Sequence, residues 1–202
     1  ASSGEFLTDE EGKKVLGWAE DTSWSYPEID RIGRVIERCS FDEEHIESVL
    51  ALADVDVEAI KARHFKVVVD AVNSVGGTVI PALLERLGVE VVKINCEPTG
   101  NFAHNPEPIP ENLTEICSVV ARERADLGVV VDPDVDRLAL VCEDGEMFGE
   151  EYTLVACADY ILSRRGGGNT VSNLSSTRAL REVTQQYGGS YAASAVGEVN
   201  VV

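Results

Sequence analysis

The sequence predicts an α/β fold: a mixed, largely parallel sheet flanked by helices on both faces, with the start of a second similar α/β unit near the end. Three observations carry that expectation. From Lys66 onward, short β-branched runs alternate with stretches of helical periodicity. The runs are apolar throughout rather than every second residue, as in strands covered on both faces. After Gly166-Gly167-Gly168 the strand–helix–strand pattern restarts, and the glycine run itself reads as a hinge.

Before Phe65 no strand of convincing length is found, and the residues read as helices and connections. Thr8 to Glu11 has the spacing of a capping box, with Val15, Leu16 and Trp18 behind it. Ser40 to Glu43 has the same spacing, followed by Ile46, Val49, Leu50 and Leu52. Lys66–Asp70 is then a first strand that ends in an acid. Gly76-Gly77 opens a helix carrying Val79, Ile80, Leu83, Leu84 and Leu87, and Gly88 stops it. Those two glycines lack the lysine and Ser/Thr of a nucleotide-binding loop, which leaves them a packing or helix-opening role. Val89–Ile94 is the second strand. A proline-rich loop from Pro98 to Pro110 leads to a helix over Asn112–Ala125. Leu127–Val131 and Leu138–Cys142 are the third and fourth strands, with Asp144-Gly145 as a turn toward Met147-Phe148. Thr153–Leu162 is a helix. Past the glycines, strand Thr170–Leu174, helix Thr177–Tyr187 and strand Ser190–Ala195 complete the pattern.

Composition bounds the partners. The 202 residues carry 36 acidic and 17 basic side chains, a net charge of −19. Residues 1–62 hold 16 acidic and 6 basic side chains, a balance of −10. Such a chain repels nucleic-acid backbones and anionic lipid, so neither a nucleic acid nor a membrane is an expected partner. No apolar run approaches the ~20 residues of a membrane span. The five cysteines, Cys39, Cys96, Cys117, Cys142 and Cys157, show no close pairing. That pattern fits neither a disulfide framework nor a structural zinc site and points to a reducing cytoplasm. With 44% hydrophobic residues a sizeable core is available.

The densest chemical signal is Asp132-Pro133-Asp134-Val135-Asp136-Arg137, directly after Val129-Val130-Val131. Ligands of open α/β sheets bind at the carboxyl ends of the strands, where these acids stand. Three clustered carboxylates repel one another, and a hard divalent cation removes that cost; an all-oxygen set favours Mg²⁺. The bland alternative is a solvated acidic turn. An EF-hand loop is excluded, because Arg137 occupies the position where the glycine must turn the chain and a strand precedes the loop. A haloacid-dehalogenase-type phosphatase fits in part. There Asp132 would accept the phosphoryl group and Asp134 would act as general acid.

Beyond these residues the sequence resembles the α-D-phosphohexomutase superfamily, the phosphoglucomutases and phosphomannomutases. The family's metal loop reads Asp-Gly-Asp-Gly-Asp-Arg after an apolar strand. Here all three acids and the arginine are kept, while Pro133 and Val135 replace the glycines. Val69–Gly77 resembles the strand and turn that open the family's second domain, and Asn101–Pro108 resembles its proline-rich loop. Gly197-Glu198 resembles the sugar-facing turn of the third domain, with Ala195 in the lysine position and Glu198 in the His/Asp position. His104-Asn105-Pro106 echoes the family's phosphoserine loop, but Ala103 stands where the serine would be, so His104 reads as a structural, turn-forming residue.

The resemblance implies three parts. Residues 1–62 would be the helical tail of the first mutase domain, 63–165 the second, metal-binding α/β domain, and 166–202 the beginning of the third. The chain then reads as a piece of a longer protein, inactive alone, whose partners are a hexose phosphate and the remaining mutase domains. The implied reaction interconverts hexose 1-phosphate and hexose 6-phosphate through a phosphoserine and a bisphosphorylated sugar. Asp132, Asp134 and Asp136 would hold Mg²⁺, and Arg137 would contact phosphate. The other reading of a different class is a non-catalytic, metal-stabilised interaction module. His45 and His64 read as surface or packing residues, since no metal-ligand partner stands at close spacing, and Arg178, at the start of the last helix, reads as an ordinary surface arginine, with an interdomain contact as the alternative.

Overall fold

The computed structural model describes residue 2, residues 4–36 and residues 39–201. Helix α1 (Asp9–Glu20) starts on the expected capping box: Thr8 Oγ1 accepts from the Glu11 N–H and the Glu11 carboxylate accepts from the Thr8 N–H. None of its residues is buried, and Trp18, Trp24 and Tyr26 are exposed around it. Helix α2 (Asp42–Leu50) departs from expectation. It begins one residue later than a Ser40 cap requires, so Ser40 Oγ accepts only from the Asp42 N–H, at 3.3 Å. Glu43 instead turns outward and joins Glu47 in gripping Arg86. Helix α3 (Val57–Arg63) is capped by the Asp56 carboxylate and closed by His64, which takes a left-handed conformation at φ 52°. His64 is thus a cap, in keeping with its reading as a non-ligand.

The central sheet has four strands in the order β2-β1-β3-β4: β1 (Lys66–Asp70), β2 (Glu90–Ile94), β3 (Leu127–Val131) and β4 (Leu138–Cys142). The first three are mutually parallel and β4 runs antiparallel to β3. Six residues link β3 to β4, too few for a crossover, which takes a dozen or more. The expected mixed, largely parallel sheet is therefore present. The Asp144-Gly145 turn also forms, with Gly145 at φ 86° and Met147 bridging back to Val141.

Helices cover both faces. Helix α5 (Thr114–Glu123) lays Ile116, Val119 and Val120 on Val68, Val130, Ala139 and Val141. The opposite face buries Val67, Val69 and Val89 under Ile60 of α3 and Ile80 and Leu84 of α4 (Gly76–Arg86). Helix α6 (Glu150–Arg165) packs on β4. Strands β5 (Thr170–Asn173) and β6 (Tyr191–Ser194) form a separate parallel pair around α7 (Ala179–Gln186), which also meets α6. Within the glycine run read as a hinge, Gly168 lies close against Gly189, while the space around Gly166 is open. Gly166 caps α6 in the left-handed region, and a Cβ on Gly189 would lie 1.8 Å from the Gly168 carbonyl.

This topology places the site. From β1 the chain moves to β2 on one side, then crosses over to β3 on the other. Ligands settle where strand order reverses in this way, here between the carboxyl ends of β1 and β3. Asp70 ends β1 and pairs with Val130, so Asp132 follows two residues beyond that pair.

Candidate metal centre

The six residues from Asp132 to Arg137 form the hairpin link between β3 and β4. A crossover would have carried the later acids away; a hairpin folds all three together. Carboxylate oxygens of Asp132, Asp134 and Asp136 lie within 4.8 Å of one another. Asp132 is buried, at 6% exposure, while Asp134 and Asp136 face solvent. The turn is tied at its base. The Asp132 carbonyl accepts from the Val135 N–H at 3.2 Å, and Asp132 Oδ1 accepts from the Arg137 N–H at 3.0 Å. Val135 holds a left-handed conformation at φ 63°, which costs a β-branched residue about 1–2 kcal/mol.

The electrostatics suit a cation. Burial works to raise the Asp132 carboxyl, but the Arg137 N–H and the neighbouring acids hold it below its ordinary value. Asp136 is pushed above its own, first by its hydrogen bond with Asp132 and then by burial and the nearby carboxylates. An all-oxygen set of this kind fits a hard divalent ion such as Mg²⁺. The Arg137 guanidinium stands beside the loop, with Nε 3.8 Å from Asp136 and 4.0 Å from Asp132. Its guanidinium is paired with Glu107.

Residues 43–145, just over half of the chain, match the family model described as phosphoglucomutase/phosphomannomutase, alpha/beta/alpha domain II. The chain belongs to the phosphoglucomutase/phosphomannomutase family. It is 32% identical over 182 residues to a relative from Methanopyrus kandleri named "Probable phosphoglucosamine mutase", covering 90% of this chain and 39% of that protein. It is 38% identical over 148 residues to a phosphoglucomutase/phosphomannomutase from Thermococcus kodakarensis, covering 73% of this chain and 32% of that one. Among solved structures it is similar to a phosphoglucomutase/phosphomannomutase family protein from Burkholderia thailandensis, with a TM-score of 0.67 and 29% identity over 82% of this chain and 35% of that chain. The chain therefore spans well under half the length of these relatives. Among the described residues, no helix is long and apolar enough to cross a membrane.

Within this phosphoglucomutase/phosphomannomutase domain, sequence reasoning missed a buried polar group beside the acids. Asp70 is 1% exposed. Its Oδ1 accepts from the Val72 N–H at 3.0 Å, and its Oδ2 lies 3.2 Å from Asn95 Nδ2 and 3.1 Å from His104 Nε2. His104 Nδ1 lies 2.8 Å from the Asn105 carbonyl, which can only accept, so Nδ1 carries a hydrogen. His104, read from the sequence as structural and turn-forming, pins the proline-rich loop onto the end of β1. On the β2 side of Asp70, Asn73, Lys93, Asn95, Glu97 and Thr99 line a polar cavity of about 600 Å³. Asp70→Ala strips three donors of their acceptor inside the fold and should destabilise it by roughly 3 kcal/mol. Urea denaturation checks this; a loss below about 1 kcal/mol would show the cluster to be dispensable.

The other sequence candidates stay apart from this centre. His45 is exposed on α2. Arg178 precedes α7 and pairs with Glu182 at 3.3 Å. Gly197 has φ 123° and leads into a 3₁₀ turn that includes Glu198, whose side chain lies outside the described set.

Proposed function

We propose that this chain supplies the metal-binding loop of a phosphohexomutase, with residues 63–165 as the metal-binding unit, 1–62 as the tail of a preceding domain and 166–202 as the beginning of a following one. The reaction would interconvert hexose 1-phosphate and hexose 6-phosphate through a phosphoserine held elsewhere in the protein. The observation that carries this reading is the convergence of Asp132, Asp134 and Asp136, followed by Arg137, in a chain of this family. The relatives are named for glucosamine, mannose and glucose phosphates, so the proposal is made for hexose phosphates as a class.

The residues divide the work by geometry. Asp132, Asp134 and Asp136 would hold Mg²⁺, with Asp132 aimed by the Arg137 N–H. Bound there, the ion supplies Lewis-acid stabilisation of charge on a transferring phosphoryl group. Arg137, half exposed, would donate charge-assisted hydrogen bonds to phosphate oxygens. The phosphatase reading draws no support from the family match, which covers Asp132 to Arg137 within a mutase domain.

Asp134 is the test residue, because its side chain is exposed. Asp134→Ala in the full-length protein should lower turnover of glucose 1-phosphate by about a hundredfold at limiting Mg²⁺. Unchanged turnover would remove the loop from the mechanism.

A further inference from the structure

Arg137 has a choice of partners. Its Nε is within 4.0 Å of two of the three loop acids, yet its closest ionic contact is with Glu107 on the proline-rich loop. Glu107 is firmly placed. Its N–H donates to Asn105 Oδ1 at 3.1 Å, and its carbonyl accepts from Asn112 Nδ2 at 2.8 Å and from the Ile109 N–H at 2.9 Å. One residue before Asn105, His104 is fastened to buried Asp70. The loop is thus anchored to β1 at one point and presents a fixed carboxylate to the arginine at another.

Without that carboxylate, the guanidinium would settle on Asp132 and Asp136, only a small rotation away. A cation arriving at the loop would then have to displace an internal positive charge. Resting on the metal-loop reading above, we propose that Glu107 is a positioning residue that holds Arg137 off the metal acids and so keeps the loop open to a divalent ion.

The test is a double-mutant cycle read by calorimetric Mg²⁺ titration of the full-length protein at one fixed pH, with no turnover involved. Glu107→Gln should weaken Mg²⁺ binding by about fivefold, because the freed arginine competes for the acids. Arg137→Ala should tighten binding, since that competitor is gone while the Arg137 N–H to Asp132 remains. In the Arg137→Ala background, Glu107→Gln should then change nothing further. Glu107→Asp, which keeps the charge on a shorter arm, should regain part of the loss. Glu107 is half exposed, so thermal melts should show these variants folded.

Equal weakening by Glu107→Gln in both backgrounds would overturn the proposal, because it would reduce Glu107 to one more negative charge in the neighbourhood. No weakening in either background would overturn it as well. Mg²⁺ failing to bind the unsubstituted protein would overturn the metal-loop reading and this one together.

Discussion

Asp132→Asn should abolish Mg²⁺ binding while leaving the fold intact. The asparagine oxygen can still accept the Arg137 N–H that Asp132 Oδ1 holds at 3.0 Å, so the hairpin keeps its shape. What disappears is the charge of the most buried of the three acids. Loss of a metal-binding carboxylate should weaken affinity by about a hundredfold or more. A Mg²⁺ titration and a thermal melt on the same sample check both halves. Retained affinity would mean that Asp134 and Asp136 suffice. A collapsed melt would mean that the charge on Asp132 is needed for folding rather than for the ion.

The second large effect is on stability. Gly77 lies in the first turn of α4, against the chain leaving β2. A Cβ built on it would fall 2.1 Å from the Cys96 carbonyl oxygen and 2.6 Å from the carbonyl carbon. Both are backbone atoms, so no flexible side chain can move aside. Gly77→Ala should therefore cost about 3–5 kcal/mol, at the upper end of what single substitutions do. Gly12→Ala is the control, since nothing lies within 4 Å of its added carbon. Denaturation midpoints that fall equally in the two variants would contradict the packing account.

Much of the fold was legible because its signal is local. The limits of β1, β3 and β4 coincide with their β-branched or apolar runs. Helix ends were less legible, because caps are settled by competition. Ser40 had the right spacing, yet Arg86, far along the chain, drew Glu43 away. The short α3 has only seven residues, too few for a periodic pattern to declare itself. The close approach of Gly168 to Gly189 was not legible, because it is set by tertiary contact.

The candidate site divides in the same way. Asp132, Asp134, Asp136 and Arg137 stand together in sequence, so their chemistry could be read there. The contacts that support them could not. Asp70 and His104 are 34 residues apart, and Glu107 meets Arg137 only because the proline-rich loop returns across the sheet edge. The signal available was the acid closing β1, a charged residue directly after three valines. Nothing local said which partner would neutralise it.

The metal loop's own stiffness has a kinetic side. Pro133 has its φ fixed by the ring, and Val135 sits in a region that few alternative shapes share. Its methyl also leans toward the start of α4, within 3.3 Å of where a Cβ on Gly76 would stand. A loop with so few other conformations has little to rearrange when an ion enters or leaves. On the proposed metal-loop reading, the slow event in exchange would then be the shedding and regaining of the ion's own water, which Mg²⁺ does reluctantly. Glycines at the same two places would make chain motion part of that clock; with Pro133 and Val135, the proposed ion's hydration chemistry would set it.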